Sequence, residues 1–509
     1  MKEVTFHSNN NGIKDKSLRI LPILILWGIV LAAAIGFFVI SSEEFYRAKQ
    51  FYLIPWVFLT GIVLAAPSAF LWYRKIFHFY HPLAYAAFLY FIPAFFVGGL
   101  ILSFGISDPY FFSFIQDPRN DLPLTMIVVM LGYSGLTAGY FLPFGKRIGD
   151  SLGRILPKWN WETDNLFFPG YVLLLIGMFN QILGYISGVV GYQKLQEIGS
   201  FDGILFLMTL IWMQASILLW MAVFRRNKLD SIAVSTAGLL IFTSLIKAFY
   251  AGNRGGMFAI VLTVMMGYLL AGRRISLKQG VIGAFVSIFC IIGGMVYGTT
   301  FRNVKESEAR IGMEKYTEHI FETFEQVSSR NTDSILQQGF YSLAERLDAV
   351  SPLAVVVSNY EDLAPYEEGY GLDNNIWKDT VTFFVPRVIW RDKPLASEPR
   401  KYGELYFNYG ENSFTITPMG DLLRNFGIVG VPLGMMFLGF LLRIIYQSLM
   451  ENQVFSYWRT TLYFMLLTAI SYESFFGGII PYLSKVAVIS IVGILIVHFF
   501  IKKSRPKSI

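Results

Sequence analysis

Charged residues are scarce in this chain. Only 15% of its 509 residues are Asp, Glu, Lys or Arg, whereas 54% are hydrophobic and 17% are aromatic. Soluble domains contain about a quarter charged residues, so this composition excludes an ordinary soluble protein. It predicts an all-α integral membrane protein that crosses the bilayer many times.

Cysteine and several enzyme motifs are also missing. A single cysteine, Cys290, excludes an intramolecular disulfide and any cysteine-based metal or redox site. The chain has no GxxxxGK[ST] loop, no pair of metal-ligating histidines, no GxSxG elbow and no Asp-x-Asp. We therefore expect no cofactor and no metal. The net charge of +7 does not indicate a nucleic-acid partner, because lysines and arginines that flank membrane spans produce the same balance.

Long apolar runs are abundant. About 20 apolar residues cross a hydrocarbon core about 30 Å thick, and twelve runs come close to or reach that length. They lie near residues 20–40, 52–73, 82–105, 122–144, 167–189, 203–224, 231–250, 256–271, 280–299, 427–449, 459–477 and 482–501. We predict about 12 transmembrane helices. The N-terminus lacks a small-residue cleavage site, so we expect the first span to be retained.

Lysines and arginines are concentrated in every second segment between the predicted spans. With the N-terminus inside, the cytoplasmic segments contain twenty of them and the short outer loops five. This asymmetry predicts that both termini are cytoplasmic. Residues 1–300 then form spans 1–9, residues 301–425 form one large extracytoplasmic loop, and residues 426–509 form spans 10–12. Helical apolar spacing predicts that this loop is mostly helical.

The outer turn "AGNRGGMF" carries Arg254 between glycines. An arginine at a bilayer centre costs about 2.5–3.5 kcal/mol, but near the end of a span it reaches the headgroups cheaply. One interpretation is therefore that the Arg254 side chain simply extends to the headgroups. The other is phosphate binding, because the glycines leave room for an anion and the guanidinium matches two phosphate oxygens. Lys247, seven residues earlier, is a second outward cation.

The long loop has a cluster of cations in "PRVIWRDKPLASEPRKYGE". Its members that we consider as substrate ligands are Arg387, Arg391 and Lys393, with Glu404 at the end of the stretch. Arg346 and Arg424 are further outward candidates. A solvated patch that meets anionic headgroups is the alternative.

Three groups are candidates for accepting a proton. Asp348, beside Arg346, and His319 are the loop side chains suited to act as a general base on a sugar hydroxyl. Glu473 lies in the run predicted as span 11, where an ionisable residue is a functional candidate by default. Each could equally be an ordinary structural residue.

Four stretches together resemble a known family. They are "GNRGGMFAIVL", "ERLDAVSPL", "FFVPRVIWRDKP" and "TPMGDLLRNFGIVGVPLGMMFLGFLLR". With about twelve spans and a large outer loop between spans 9 and 10, this pattern resembles the Wzy-type polymerases of O-antigen or oligosaccharide repeat units. Asp421 stands where this pattern leads us to expect glutamate.

The resemblance implies a membrane glycosyltransferase of the broad C class (GT-C) in a bacterial inner membrane. It implies transfer of a glycan from undecaprenyl pyrophosphate to the non-reducing end of an incoming lipid-linked repeat unit. Arg254 and Arg387 would then bind pyrophosphate, Arg346 and Arg424 would contact a second sugar or phosphate, and Asp348 would be the base, with His319 behind it. Membrane lipids and a chain-length regulator protein are expected partners.

Three alternatives stay open. An O-antigen ligase differs in its acceptor. A GT-C enzyme that uses a polyprenyl-phosphate sugar would fit the acidic residues Glu43 and Glu44 in the first outer loop. A transporter or flippase of the same lipid-linked glycan is a different class, but charges crowd the predicted outer surface rather than the midplane.

Overall fold

The computed structural model describes residues 49–504 with gaps. The gaps are residues 107–109, 192–198, 200, 227, 229, 306–310, 330–331, 384, 386–388, 391–392, 394–395, 410–415 and 452. Every regular element in the described part is a helix, and nine of these helices are long and apolar enough to cross a membrane. The chain is therefore an all-α, multi-pass membrane protein in its described part.

The described chain consists of long apolar helices and shorter helices that connect them or form the loop. In chain order they are α1 (Ile54–Tyr73), α2 (Pro82–Ser103), α3 (Pro118–Phe141), α4 (Pro143–Ile155), α5 (Phe167–Ile186), α6 (Asp202–Arg225), α7 (Ser231–Ala251), α8 (Gly256–Leu270), α9 (Leu277–Lys305), α10 (Met313–Ser329), α11 (Thr332–Leu347), α12 (Val350–Tyr370), α13 (Asn375–Thr382), α14 (Pro399–Phe407), α15 (Pro418–Leu449), α16 (Tyr457–Ala469) and α17 (Phe476–Ser504). We call the side of the bundle that carries α10–α14 the loop side.

Eleven of the twelve predicted spans fall in the described residues; the first, near 20–40, lies outside them. Nine of the eleven match the long apolar helices. The other two are shorter: α8 has 15 residues and α16 has 13, which correspond to about 22 Å and 20 Å. The helix expected at 459–477 ends at Ala469, because Ile470 adopts an extended backbone. Residues 470–475 therefore connect α16 and α17 without forming a helix.

The long loop is mostly helical where it is described, as its spacing predicted. The chain returns from the loop to the bundle through α15. This helix is broken at Gly427, where φ is 66°. Thr417 caps the start of α15 by accepting a hydrogen bond from the backbone N–H of Gly420 at 3.1 Å. The segment from Pro418 to Gly427 thus belongs to the loop, and the predicted span at 427–449 begins at the break.

Helices α3 and α15 approach each other through glycines. A Cβ on Gly139 would lie 1.8 Å from the carbonyl oxygen of Met436, and one on Gly439 would lie 1.9 Å from that of Leu136. Real side chains do not tolerate such distances, so these glycines set how closely the two spans pack. This contact packs the part of α15 that follows the break at Gly427 against the end of α3 that lies away from the loop side.

We expect Gly139→Ala to destabilise the protein by about 2 kcal/mol or more, because overpacking here requires two backbones to separate. Thermal unfolding of the detergent-solubilised protein would measure the change. Gly238→Ala is the matched control, since a Cβ at Gly238 meets nothing within 4 Å. Equal unfolding midpoints for Gly139→Ala and the wild type would contradict the close α3–α15 contact.

Candidate functional site

A cavity of about 520 Å³ lies among α2, α8, α9 and the junction of α11 with α12. Four of the side chains that the sequence singled out line it: Arg254, Arg346, Asp348 and Glu473. They come from three separate parts of the chain. The structure therefore brings a predicted phosphate ligand and three further candidates into one space.

The junction of α11 and α12 packs against the middle of α2 rather than against its end. The backbone N–H of Ala349 donates to the Ala94 carbonyl at 3.4 Å, and a Cβ on Gly98 would lie 2.2 Å from the Leu347 carbonyl oxygen. Ala94 is nine residues, or about 13 Å, from the loop-side end of α2 at Ser103. The "ERLD" stretch, residues 345–348, thus lies inside the bundle.

Asp348 caps the helix that follows this junction. Its Oδ1 accepts a hydrogen bond from the backbone N–H of Ser351 at 3.0 Å, and its Oδ2 accepts from the Ser351 hydroxyl at 2.6 Å. Side-chain acceptors at this position satisfy otherwise unpaired N–H groups of a helix start. Both carboxylate oxygens are engaged, so Asp348 holds the cavity wall in place.

Arg254 sits on a turn that is pressed against α9. Gly252 ends α7 with a φ of 59°, and the Arg254 backbone then packs on two glycines. A Cβ on Gly294 would lie 2.6 Å from the Arg254 carbonyl oxygen, and one on Gly298 would lie 2.8 Å from its nitrogen. Gly255, which also lines the cavity, immediately precedes α8, and the N–H groups at the start of a helix favour an anion.

Arg346 and Glu473 form an ion pair at the cavity wall. Their side chains are 45% and 38% exposed, so the pair is worth at most about 1 kcal/mol. Glu473 stands in the non-helical connection 470–475 rather than inside a span. Its pairing with Arg346 also lowers the cost of a charge in a chain that crosses a membrane.

Glu345, the first residue of the "ERLD" stretch, also lines the cavity, although the sequence predicted no role for it. Its position inside "ERLD" was the available signal, since Arg346 and Asp348 of the same stretch were already candidates. With Glu345, two arginines and three acidic residues line the cavity. A site of this kind can bind an anion and also accept a proton.

The remaining wall is apolar. Leu89 and Pro93 of α2, Phe258 of α8, and Ile291 and Met295 of α9 line it. All of these helices except α8 are long enough to cross a membrane. The cavity thus combines a charged part with a part suited to a hydrocarbon chain.

Arg424 is not brought to this cavity. It is buried, and its guanidinium pairs with Glu367 and Asp421, each at 3.0 Å. The second carboxylate oxygen of Asp421 accepts from the backbone N–H of Gly477 at 3.1 Å, near the start of α17. Burial raises the pKa of the Glu367 carboxyl, although Arg424 opposes the shift. This network ties the loop to α15 and α17.

The other candidate residues that the structure describes lie away from this cavity. His319 faces Glu322 of its own helix α10 at 3.5 Å, and the Lys247 ammonium lies 4.2 Å from the centre of the Trp212 ring. Lys393 donates to the Val385 carbonyl at 3.1 Å, and Glu404 is exposed on α14. None of these four lines the cavity.

Arg387 and Arg391 lie outside the described residues, so their predicted roles stay predictions. Within the residues that the structure describes, no three histidine, cysteine, aspartate or glutamate side chains are grouped as a metal site requires. The expectation of a metal-free reaction also stays a prediction.

Comparison with known protein families, characterised proteins and solved structures found no match to this chain.

Proposed function

We propose that the protein is a membrane glycosyltransferase that polymerises lipid-linked oligosaccharide repeat units. Its donor is a glycan on undecaprenyl pyrophosphate, and its acceptor is the non-reducing end of a newly delivered repeat unit, at the outer leaflet of a bacterial plasma membrane. In this proposal both termini are cytoplasmic, and a chain-length regulator protein is a partner. One observation carries it: the cavity joins two arginines and three carboxylates to an apolar wall.

The charged part of the cavity suits the breaking of a glycosyl pyrophosphate. An acceptor hydroxyl oxygen forms the new bond to the sugar's anomeric carbon while the bond from that carbon to the phosphate oxygen breaks. The pyrophosphate keeps the electron pair and leaves as undecaprenyl pyrophosphate. In this proposal Arg254 and Arg346, which line the cavity, stabilise the charge that develops on it, and the apolar wall binds the first isoprene units.

The hydroxyl proton needs a carboxylate to receive it. Asp348 was the first choice from the sequence, but both of its oxygens already accept hydrogen bonds from Ser351. Glu473 is more exposed and is held by an ion pair that a pyrophosphate would compete for. We therefore assign the base to Glu473.

The proposed function is tested by incubating the purified full-length protein with a synthetic undecaprenyl-pyrophosphate repeat unit and separating the products on a gel. A ladder of lengthened glycans supports the proposal. Transfer to a lipid A core acceptor alone would indicate a ligase, and use of a polyprenyl-phosphate monosaccharide would indicate the other GT-C class. Transbilayer movement of the lipid without any ladder would indicate a transporter and overturn the proposal.

The position of Arg254 can be tested without changing Arg254 itself, because its backbone packs against glycines of α9. Gly298→Ala puts a methyl group against the Arg254 backbone, and displacements of about 1 Å at a reacting group can cost up to about a hundredfold in rate. We expect polymer formation to fall at least about tenfold, measured by the time course of the ladder. Gly283→Ala, on the same helix with nothing within 4 Å of its Cβ, should retain the wild-type rate. Wild-type activity of Gly298→Ala would show that this turn does not position the site.

A further inference from the structure

Tyr90 lines the cavity from an irregular stretch of α2. Residues Ala87–Val97 form a π-helix that contains Pro93. Proline has no backbone N–H, so a regular α-helical ladder cannot pass it, and π-helical turns are frequent at functional sites. The Tyr90 ring stacks on Tyr472 with centroids 5.9 Å apart and meets the edge of Phe95 at 5.9 Å.

The hydroxyl of Tyr90 is buried without a hydrogen-bond partner among the described residues. The residue is only 9% exposed, yet it lines the cavity. Buried polar groups in native proteins are nearly always hydrogen-bonded, and an exception calls for an explanation. Of the described tyrosines, Tyr402 shares the feature but does not line the cavity. By contrast, the buried Tyr133 hydroxyl donates to the Leu83 carbonyl at 3.3 Å.

The neighbours of Tyr90 indicate which ligand atom its hydroxyl would meet. Arg346 and Glu473 line the same cavity, and both charges act on the phenol. Arg254 also lines it. Two arginines favour a ligand that is rich in anionic oxygens. A neutral phenol among mostly aromatic neighbours can donate a hydrogen bond to such an oxygen.

We propose that the Tyr90 hydroxyl donates a hydrogen bond to a phosphate oxygen of the lipid pyrophosphate. The inference rests on the proposed function, and it deepens it by assigning a contact to the leaving group. Tyr90 would thus add a fixed neutral donor to the two arginines. Because its ring is already held by Tyr472 and Phe95, binding orders no further side-chain torsion there.

The test compares Tyr90→Phe with the wild type in binding farnesyl pyrophosphate, a short prenyl pyrophosphate, to the full-length protein in detergent. A hydrogen bond to a charged group is lost, so we expect affinity to fall about tenfold or more. Farnesol, which lacks phosphate, should bind both proteins equally. The unfolding midpoint of Tyr90→Phe should stay unchanged or rise, because no hydrogen bond within the described protein is removed.

Tyr133→Phe is the matched control. It deletes a buried hydroxyl that has a partner and lies outside the cavity, so it should lower the unfolding midpoint and leave affinity for farnesyl pyrophosphate unchanged. If the wild type binds farnesyl pyrophosphate and Tyr90→Phe binds it equally well, the Tyr90 contact is overturned while the proposed function stands. If the wild type shows no preference for farnesyl pyrophosphate over farnesol, the pyrophosphate donor itself is overturned.

Discussion

Replacing Arg254 with lysine is expected to slow polymer formation about a hundredfold while leaving the protein folded. The substitution keeps the positive charge but removes the planar fork that matches two phosphate oxygens. Loss of one pre-arranged donor to a developing anion costs about 2.7–4 kcal/mol in enzymes that depend on such groups. Arg254 lines the cavity together with Arg346, so the substitution weakens the stabilisation of the leaving pyrophosphate. The rate of ladder growth at saturating repeat unit measures it.

The same experiment decides between the two readings of Arg254. An arginine that only snorkels to the headgroups needs no particular shape, so lysine would replace it without loss. Arg147→Lys is a suitable control, because Arg147 is exposed on α4, at the other end of α3 from the loop side. Equal ladder growth for Arg254→Lys and the wild type, at equal protein level, would leave snorkelling as the explanation.

The membrane helices were predictable because the signal for them is local. An apolar run of about 20 residues is sufficient to indicate a span, and nine of the eleven described runs are long apolar helices. Composition does not reveal where a run stops being helical. The run predicted as a span continues past Ala469, yet the backbone becomes extended at Ile470, which leaves Glu473 in a connection at the cavity.

The site was only partly predictable, because a charge in the sequence does not identify its partner. The sequence predicted that Arg424 is an outward cation, but it is buried between Glu367 and Asp421. Glu367 is distant from it in sequence. Arg346 and Glu473 were separate candidates, and their pairing depends on the fold. Tyr90 had no local signal apart from Pro93, three residues later in an apolar run.

The second large effect is expected for Glu473. Glu473→Gln keeps the shape of the side chain but removes its ability to accept a proton, and loss of a general base typically costs about 10²–10⁴ in rate. Because the Arg346–Glu473 pair is worth at most about 1 kcal/mol at this exposure, the variant should remain folded. Ladder growth and the unfolding midpoint, measured on the same preparation, separate the two effects. Glu404→Gln, an exposed carboxylate on α14, is the control and should retain the wild-type rate.

Exchanging the two charges tests whether the pair has a chemical role or only a structural one. Arg346→Glu and Glu473→Arg each place two like charges together, so each single variant should lose both stability and ladder growth. The double variant restores an ion pair, and its unfolding midpoint should return towards that of the wild type. Its ladder growth should stay lost, because the carboxylate and the guanidinium have changed places relative to Arg254 and the acceptor. Recovery of ladder growth in the double variant would instead show that the pair only holds the 470–475 connection against α11, and the base would have to be sought in Glu345 or Asp348.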